Sequence, residues 1–181
     1  IKLKWDRRRL LHTTDSNILP SFASHFTFAN YTEPTPLALV TDTVNEDEVS
    51  YTLVHRILKP NGIIRIATPN IEFLIDLYLN PEKEINKSYI EFDSKRSGYP
   101  INSIYVINRF HTTWGHKIIH SPESLTILLK DAGFKNIKRC EVGISTHIEL
   151  NNIECHQKSF ERQGANMDYN KLQTMVFEAQ K

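Results

Sequence analysis

The sequence predicts an α/β domain whose sheet is largely parallel, with an antiparallel pair at its end. Three observations carry that reading. Val49, Leu53, Val54, Ile57 and Leu58 fall on one helical stripe. Pro60 stops that helix, Asn61-Gly62 makes a turn, and Ile63–Thr68 follows as a nearly unbroken apolar run, the pattern of a strand covered on both faces. A second helix-to-strand unit runs from Ser121 to Val142, and Leu172–Ala179 reads as a last strand. The order strand, helix, strand, helix, strand, strand is that of crossover units closed by an antiparallel return.

The elements are justified in turn. Ile1–Trp5 alternates apolar and basic residues, as a short strand with one buried face does. Phe22, Phe26 and Phe28 give a second strand-like segment, with His25 and Thr27 on its other face. Pro34 and Pro36 forbid regular structure locally. Asn45-x-x-Glu48 has the form of a capping box. Pro69-Asn70 ends the apolar strand, and Ile71–Leu79 reads as helix. Residues 81–110 are polar and aromatic-rich without a clear period; a short helix over Lys83–Phe92 followed by loop is expected. Ser121 is an N-cap, Pro122 the first helical residue, and Glu123 suits the helix dipole. Leu125, Leu128, Leu129 and Ala132 form the next stripe, and Gly133 stands where a left-handed cap is wanted.

The bulk numbers exclude several classes. With 181 residues, 40% apolar and 24% charged, the chain has the length and composition of one globular domain. A net charge of +1 argues against a polyanion partner. Arg7-Arg8-Arg9 is a weak nucleic-acid signal without an aromatic platform, so no nucleic acid is expected. No apolar run approaches the ~20 residues of a membrane span, and Ile1 is not followed by a signal-peptide core. Cys140 and Cys155 make neither a disulfide framework nor a metal motif, which suits a cytoplasmic compartment.

His55–Asn70, His-Arg-Ile-Leu-Lys-Pro-Asn-Gly-Ile-Ile-Arg-Ile-Ala-Thr-Pro-Asn, closely resembles the "hRvLKPGGxlxIatPn" stretch of class I S-adenosylmethionine-dependent methyltransferases. The chain is similar to the small bacterial type 11 and type 12 domains of that class. Trp5-Asp6 resembles the end of that family's third strand. Asp15-Ser16-Asn17-Ile18 and Phe22-Ala23-Ser24-His25-Phe26 resemble the surroundings of its fourth. Asn108-Arg109-Phe110-His111 with Trp114-Gly115-His116 resembles an insert of one branch, here about residues 81–120, covering the substrate side. Leu125–Phe134 and Thr174–Lys181 resemble the last helix and the terminal strand. The resemblance implies one Rossmann-like domain over residues 1–181, mostly parallel with an antiparallel terminal strand, in the order 3-2-1-4-5-7-6.

Two departures stand out. The family's Gly-x-Gly-x-Gly loop and the ribose-binding acid after its second strand are absent, so the N-terminal part reads as truncated. Phe28-Ala29 also replaces a polar pair of the family. Three arrangements would protect the edge this leaves: direct re-pairing of the N-terminal segment, strands donated by another copy in a homo-oligomer, or a section encoded before Ile1.

The resemblance implies S-adenosylmethionine as cofactor and a small-molecule or glycan-type acceptor. Asp6 and Asp15 resemble the adenine-side acid of that cofactor site. His25, at the carboxyl end of a strand, is expected on the same side, and Thr68 and Asn70, also at a strand end, border the acceptor side with Trp114 as a lid anchor. His111 or His116 would be the general base. Each has a plainer alternative: turn and cap aspartates, a strand-face histidine, a simple strand-end turn, a packed tryptophan, and loop histidines bonded to backbone. His111, His116 and His120 with Glu154 and His156 also raise a metal site, but lack helical ligand spacing, and none is expected. The alternative function is a non-catalytic methyltransferase-like module that has lost cofactor binding.

Overall fold

The structure, a computed structural model, describes residues 26–29, 37–41, 48–113, 116, 118–154, 160–165 and 167–181; for 26–29, 37–41, 48–50, Leu53 and Ile57 it describes the backbone. The elements are β1 (Phe26–Ala29), β2 (Leu37–Thr41), α1 (Glu48–Ile57), β3 (Ile63–Pro69), α2 (Ile71–Leu79), α3 (Glu84–Ser97), α4 (Ser103–Thr112), α5 (Pro122–Asp131), β4 (Lys135–Cys140), α6 (Tyr169–Gln173) and β5 (Thr174–Gln180). The chain divides into two units: Ile1–Ala67, Thr126–Lys138 and Phe177–Lys181 in one, Thr68–Leu125 and Arg139–Val176 in the other. Among the described residues no helix is long and apolar enough to cross a membrane. The expected strand Ile1–Trp5 and the capping Asn45 lie outside the described residues.

The strands form one sheet in the order β1-β2-β3-β5-β4. β1 pairs antiparallel with β2, Phe26 opposite Val40, and β2 pairs parallel with β3, Leu37 opposite Ile63. Lys181 N donates to Gly62 O at 2.9 Å, and Asn70 N to Gln173 O at 2.8 Å. The end of β5 therefore meets the start of β3, and the two run in opposite directions. On the far side of β5, Asn136 bonds Gln180 at 2.8 Å and Lys138 meets Glu178 at 3.1 Å, so β4 is antiparallel to β5 as well.

These directions overturn the mostly parallel, Rossmann-like sheet expected from the sequence: β2–β3 is the sheet's parallel pair, and the other pairings are antiparallel. The reason is the place of β5. The helices between β3 and β4 do return the chain in the same direction, but β5 inserts between those two strands and runs against both. A second correction concerns the N-terminal half. The strand beside β3 is Leu37–Thr41, directly after Pro34 and Pro36, and Phe26–Ala29 is an antiparallel strand on its outer side.

β3 is buried along its whole length. Arg65 sits in its middle, 0% exposed, with Nη1 2.6 Å from Oε1 of Glu178 on β5. Lys138 on β4 reaches the other oxygen of the same carboxylate. At the turn before β3, Asn61 takes φ +64° and Gly62 N donates to Lys59 O. Gly133 ends α5 in the left-handed region at φ +95°, and a Cβ there would lie 3.2 Å from the His55 ring. His55 in turn meets Phe134 edge-on at 5.0 Å.

The second unit is built around Phe73, Leu74 and Leu77 of α2, Tyr89, Ile90 and Phe92 of α3, and Val106 of α4, joined by Phe160 and Tyr169. Tyr89 meets Phe73 and Tyr169 edge-to-face at 5.0 and 5.1 Å, a favoured aromatic geometry. The short helix expected over Lys83–Phe92 runs on to Ser97, where Gly98 caps it in the left-handed region. The expected loop after it contains α4, whose N-cap Asn102 accepts from Ile104 N at 2.9 Å. Ser121 caps α5 as expected: its hydroxyl accepts from Ser124 N at 3.1 Å, and Ser124 Oγ accepts from Ser121 N at 2.9 Å.

Asp76 ties α2 to the start of α3. Its carboxylate accepts from Lys83 Nζ at 2.6 Å, Asn80 Nδ2 at 2.8 Å and Asn86 Nδ2 at 2.9 Å. Lys83 and Asn86 above all hold its carboxyl well below the usual range, at about 2. A depressed acid contributes stability that is present above the unfolded value of 3.8 and lost as pH falls toward about 2. Asp76→Asn is therefore expected to flatten the acid limb of the stability curve over that window, read by urea denaturation at stepped pH. Arg65→Met is expected to cost about 3–5 kcal/mol by leaving a buried carboxylate short of a partner, while the double replacement R65M/E178M recovers most of that loss.

Candidate functional site

β3 leads into α2 through Thr68-Pro69-Asn70. Proline ends the ladder because it has no N–H to donate, and Asn70 takes the N-cap position of α2. An N-cap asparagine ordinarily turns its side-chain oxygen onto the free N–H groups of the first turn. Asn70 does not: it makes no side-chain cap bond, and Nδ2 donates instead to Leu172 O at 3.1 Å. Its backbone N–H donates to Gln173 O, so Asn70 is pinned to the end of α6 through two bonds. Oδ1 is left buried without a hydrogen-bond partner, and so is Oγ1 of Thr68, a residue 3% exposed. A buried polar atom without a partner costs about 1–3 kcal/mol. Two such atoms stand two residues apart at one strand end.

His111 lies in the last turn of α4, exposed, with Nδ1 3.0 Å from the backbone oxygen of His116. A carbonyl only accepts, so Nδ1 carries the proton and donates. In the neutral ring Nε2 then bears the lone pair, the form a general base needs. The contact joins the two expected catalytic positions through the backbone of His116 rather than through its ring. His111's hydrogen bond goes to His116; Thr68 and Asn70 are not among its partners.

The remaining expected residues divide cleanly. Asp6, Asp15, His25 and Trp114 lie outside the described residues, as does His156. His120 is buried with Nδ1 3.3 Å from Ser124 Oγ, and Glu154 accepts from Gly143 N at 2.8 Å. Among the described residues no group of three or more His, Cys, Asp or Glu side chains is placed to hold a metal ion.

The sequence reading missed a charged cluster on α3 and α4. Asp93, 4% exposed, receives both Arg96 and Arg109. Only the i, i+3 spacing of Asp93 and Arg96 could have signalled it, and both lie beyond the expected end of the helix. Against known proteins, the chain matches no family model and no curated protein.

Thr68→Val removes an orphan hydroxyl at nearly constant shape. It is expected to leave stability unchanged or to raise it by up to ~1 kcal/mol, measured as a shift in the urea midpoint. A clear loss would mean that the hydroxyl is satisfied in solution.

Proposed function

We propose that this chain is an S-adenosylmethionine-dependent methyltransferase domain whose Thr68–Asn70 corner faces the methyl acceptor. The observation that carries the reading is the pair of buried, unpartnered oxygens at the carboxyl end of β3. β3 pairs in parallel with β2, parallel strands of α/β sheets place ligands outside their carboxyl ends, and a ligand group supplying hydrogen bonds there would offset the cost of both orphans.

The junction between β3 and α2 is Thr-Pro-Asn, with no glycine to let backbone approach a nucleoside. Gly98 and Gly164 have nothing within 4 Å of where a Cβ would stand, and Gly133 and Gly143 face His55 and Asn152. What the chain's own residues offer is acceptor chemistry. Thr68 Oγ1 can donate or accept, Asn70 Oδ1 accepts, and His111 Nε2 can take the proton that a hydroxyl or amine loses on methylation. The acceptor is accordingly a small molecule bearing O–H or N–H groups, a glycan-type hydroxyl included. A cytoplasmic setting belongs to the same reading.

The missing glycine cradle specifically favours a second reading, a methyltransferase-like module without cofactor binding, working in a homo-oligomer. Calorimetry of the full chain with S-adenosylhomocysteine separates the two. Saturable heat is expected for the enzyme; neither heat nor a thermal shift at millimolar ligand would leave the module reading in its place. If methyl transfer is found, His111→Gln is expected to lower kcat about 100-fold or more at neutral pH with little change in KM, the usual scale for loss of a general base.

A further inference from the structure

Asp93 lies in the last turns of α3, and its side chain is 4% exposed. A single oxygen of it, Oδ1, accepts from Arg96 Nη2 at 2.8 Å and from Arg109 Nη1 at 2.7 Å. Two guanidinium groups thus share one carboxylate, and the cluster carries one surplus positive charge. Neither cation is freely hydrated: the side chains of Arg96 and Arg109 are 18% and 11% exposed. Among the described residues Asp93 is the carboxylate partner of both.

The surroundings do not remove the surplus. Arg96 lies over the rings of Phe92 and Phe160, at 5.7 and 5.5 Å from their centroids. Those faces favour a cation without neutralising it. Tyr89 is close enough for its ionisation to be influenced by all three charges, but burial pushes its hydroxyl up and keeps it a neutral phenol. Arg96 Nε is buried with no hydrogen-bond partner. Two mostly buried cations that share a single counter-charge are costly, so a bound anion would gain a favourable interaction here that it would not gain at an exposed lysine.

We propose that Arg96 and Arg109 form an oxyanion site that takes the phosphate or carboxylate group of a small ligand. The residue type argues for that chemistry. A guanidinium presents five N–H donors in a planar fork that matches two oxygens of one oxyanion, and Arg109 uses one of its nitrogens on Asp93. Asp93 holds the two forks together and sets the site's net charge; it is a positioning residue. The site does not depend on the methyl-transfer reading, and a chain that ignores S-adenosylhomocysteine can still fill it.

Calorimetry of the full chain with inorganic phosphate, and separately with acetate, at ionic strength held constant with chloride, tests the proposal. Saturable one-to-one heat is expected from at least one of the two, and the tighter one identifies the ligand group. Arg109→Lys keeps a cation beside Asp93 but loses the fork, and is expected to weaken binding about tenfold. Asp93→Asn removes the competing carboxylate and is expected to tighten it, a change that a purely structural ion cluster would not give. Should R109K not fold, Arg96→Lys serves as the fork-removing variant. Absence of saturable heat with the unaltered chain for both anions overturns the proposal, as does undiminished binding in the folded lysine variant.

Discussion

The sheet depends on one buried ion pair. Arg65 and Glu178 stand on adjacent strands, 0% and 1% exposed, with 2.6 Å between Nη1 and Oε1. Neither group tolerates the interior alone. A buried pair of this kind adds little net stability compared with apolar residues of the same volume, but it punishes every arrangement that separates the partners. A slip of one residue between β3 and β5 would turn Arg65 to the opposite face and strand both charges. Lys138 extends the row onto β4, so three strands share one register. β5 must therefore lie between β3 and β4, and that place makes the sheet predominantly antiparallel.

The elements with a strong local signature were legible in the sequence. Pro60 and Asn61-Gly62 bracket the start of β3, Ser121-Pro122 and Gly133 bracket α5, and each of these residues acts at the place its chemistry suggests. Direction was not legible. The alternation and apolar runs that identify a strand are the same whichever way its neighbour runs, and the decisive contacts join residues more than a hundred positions apart, as Arg65 and Glu178 do. β2 was hidden by its own flank: Pro34 and Pro36 signal a break, while Leu37–Thr41 is short enough to be overlooked beside them.

The helices α3 and α4 were obscure for a different reason. α3 buries Asn86 and Asp93 alongside Tyr89, Ile90 and Phe92, so polar and apolar residues share its inner face and no clean stripe results. The site was legible in the same measure. Thr68 and Asn70 could be singled out from a strand end, because a Thr-Pro-Asn corner is a local pattern. That Asn70 turns its amide away from α2 and onto Leu172 could not be read, since it depends on α6 arriving from a hundred residues downstream. The clustering of Asp93, Arg96 and Arg109 required α3 to continue and α4 to exist.

Asn86 has a consequence for how this fold can vary. It is fully buried, and Nδ2 reaches Asp76 O, Asp76 Oδ2 and Asn80 O, at 3.2, 2.9 and 2.8 Å. One amide thus closes the connection between α2 and α3 from inside, as a staple closes a fold of paper. Surface connections ordinarily accept added or deleted residues at small entropic cost. This one does not: a change in length between Asn80 and Lys83 would pull the amide off all of its acceptors together. Relatives of this chain should keep that spacing fixed even where the composition of the loop drifts.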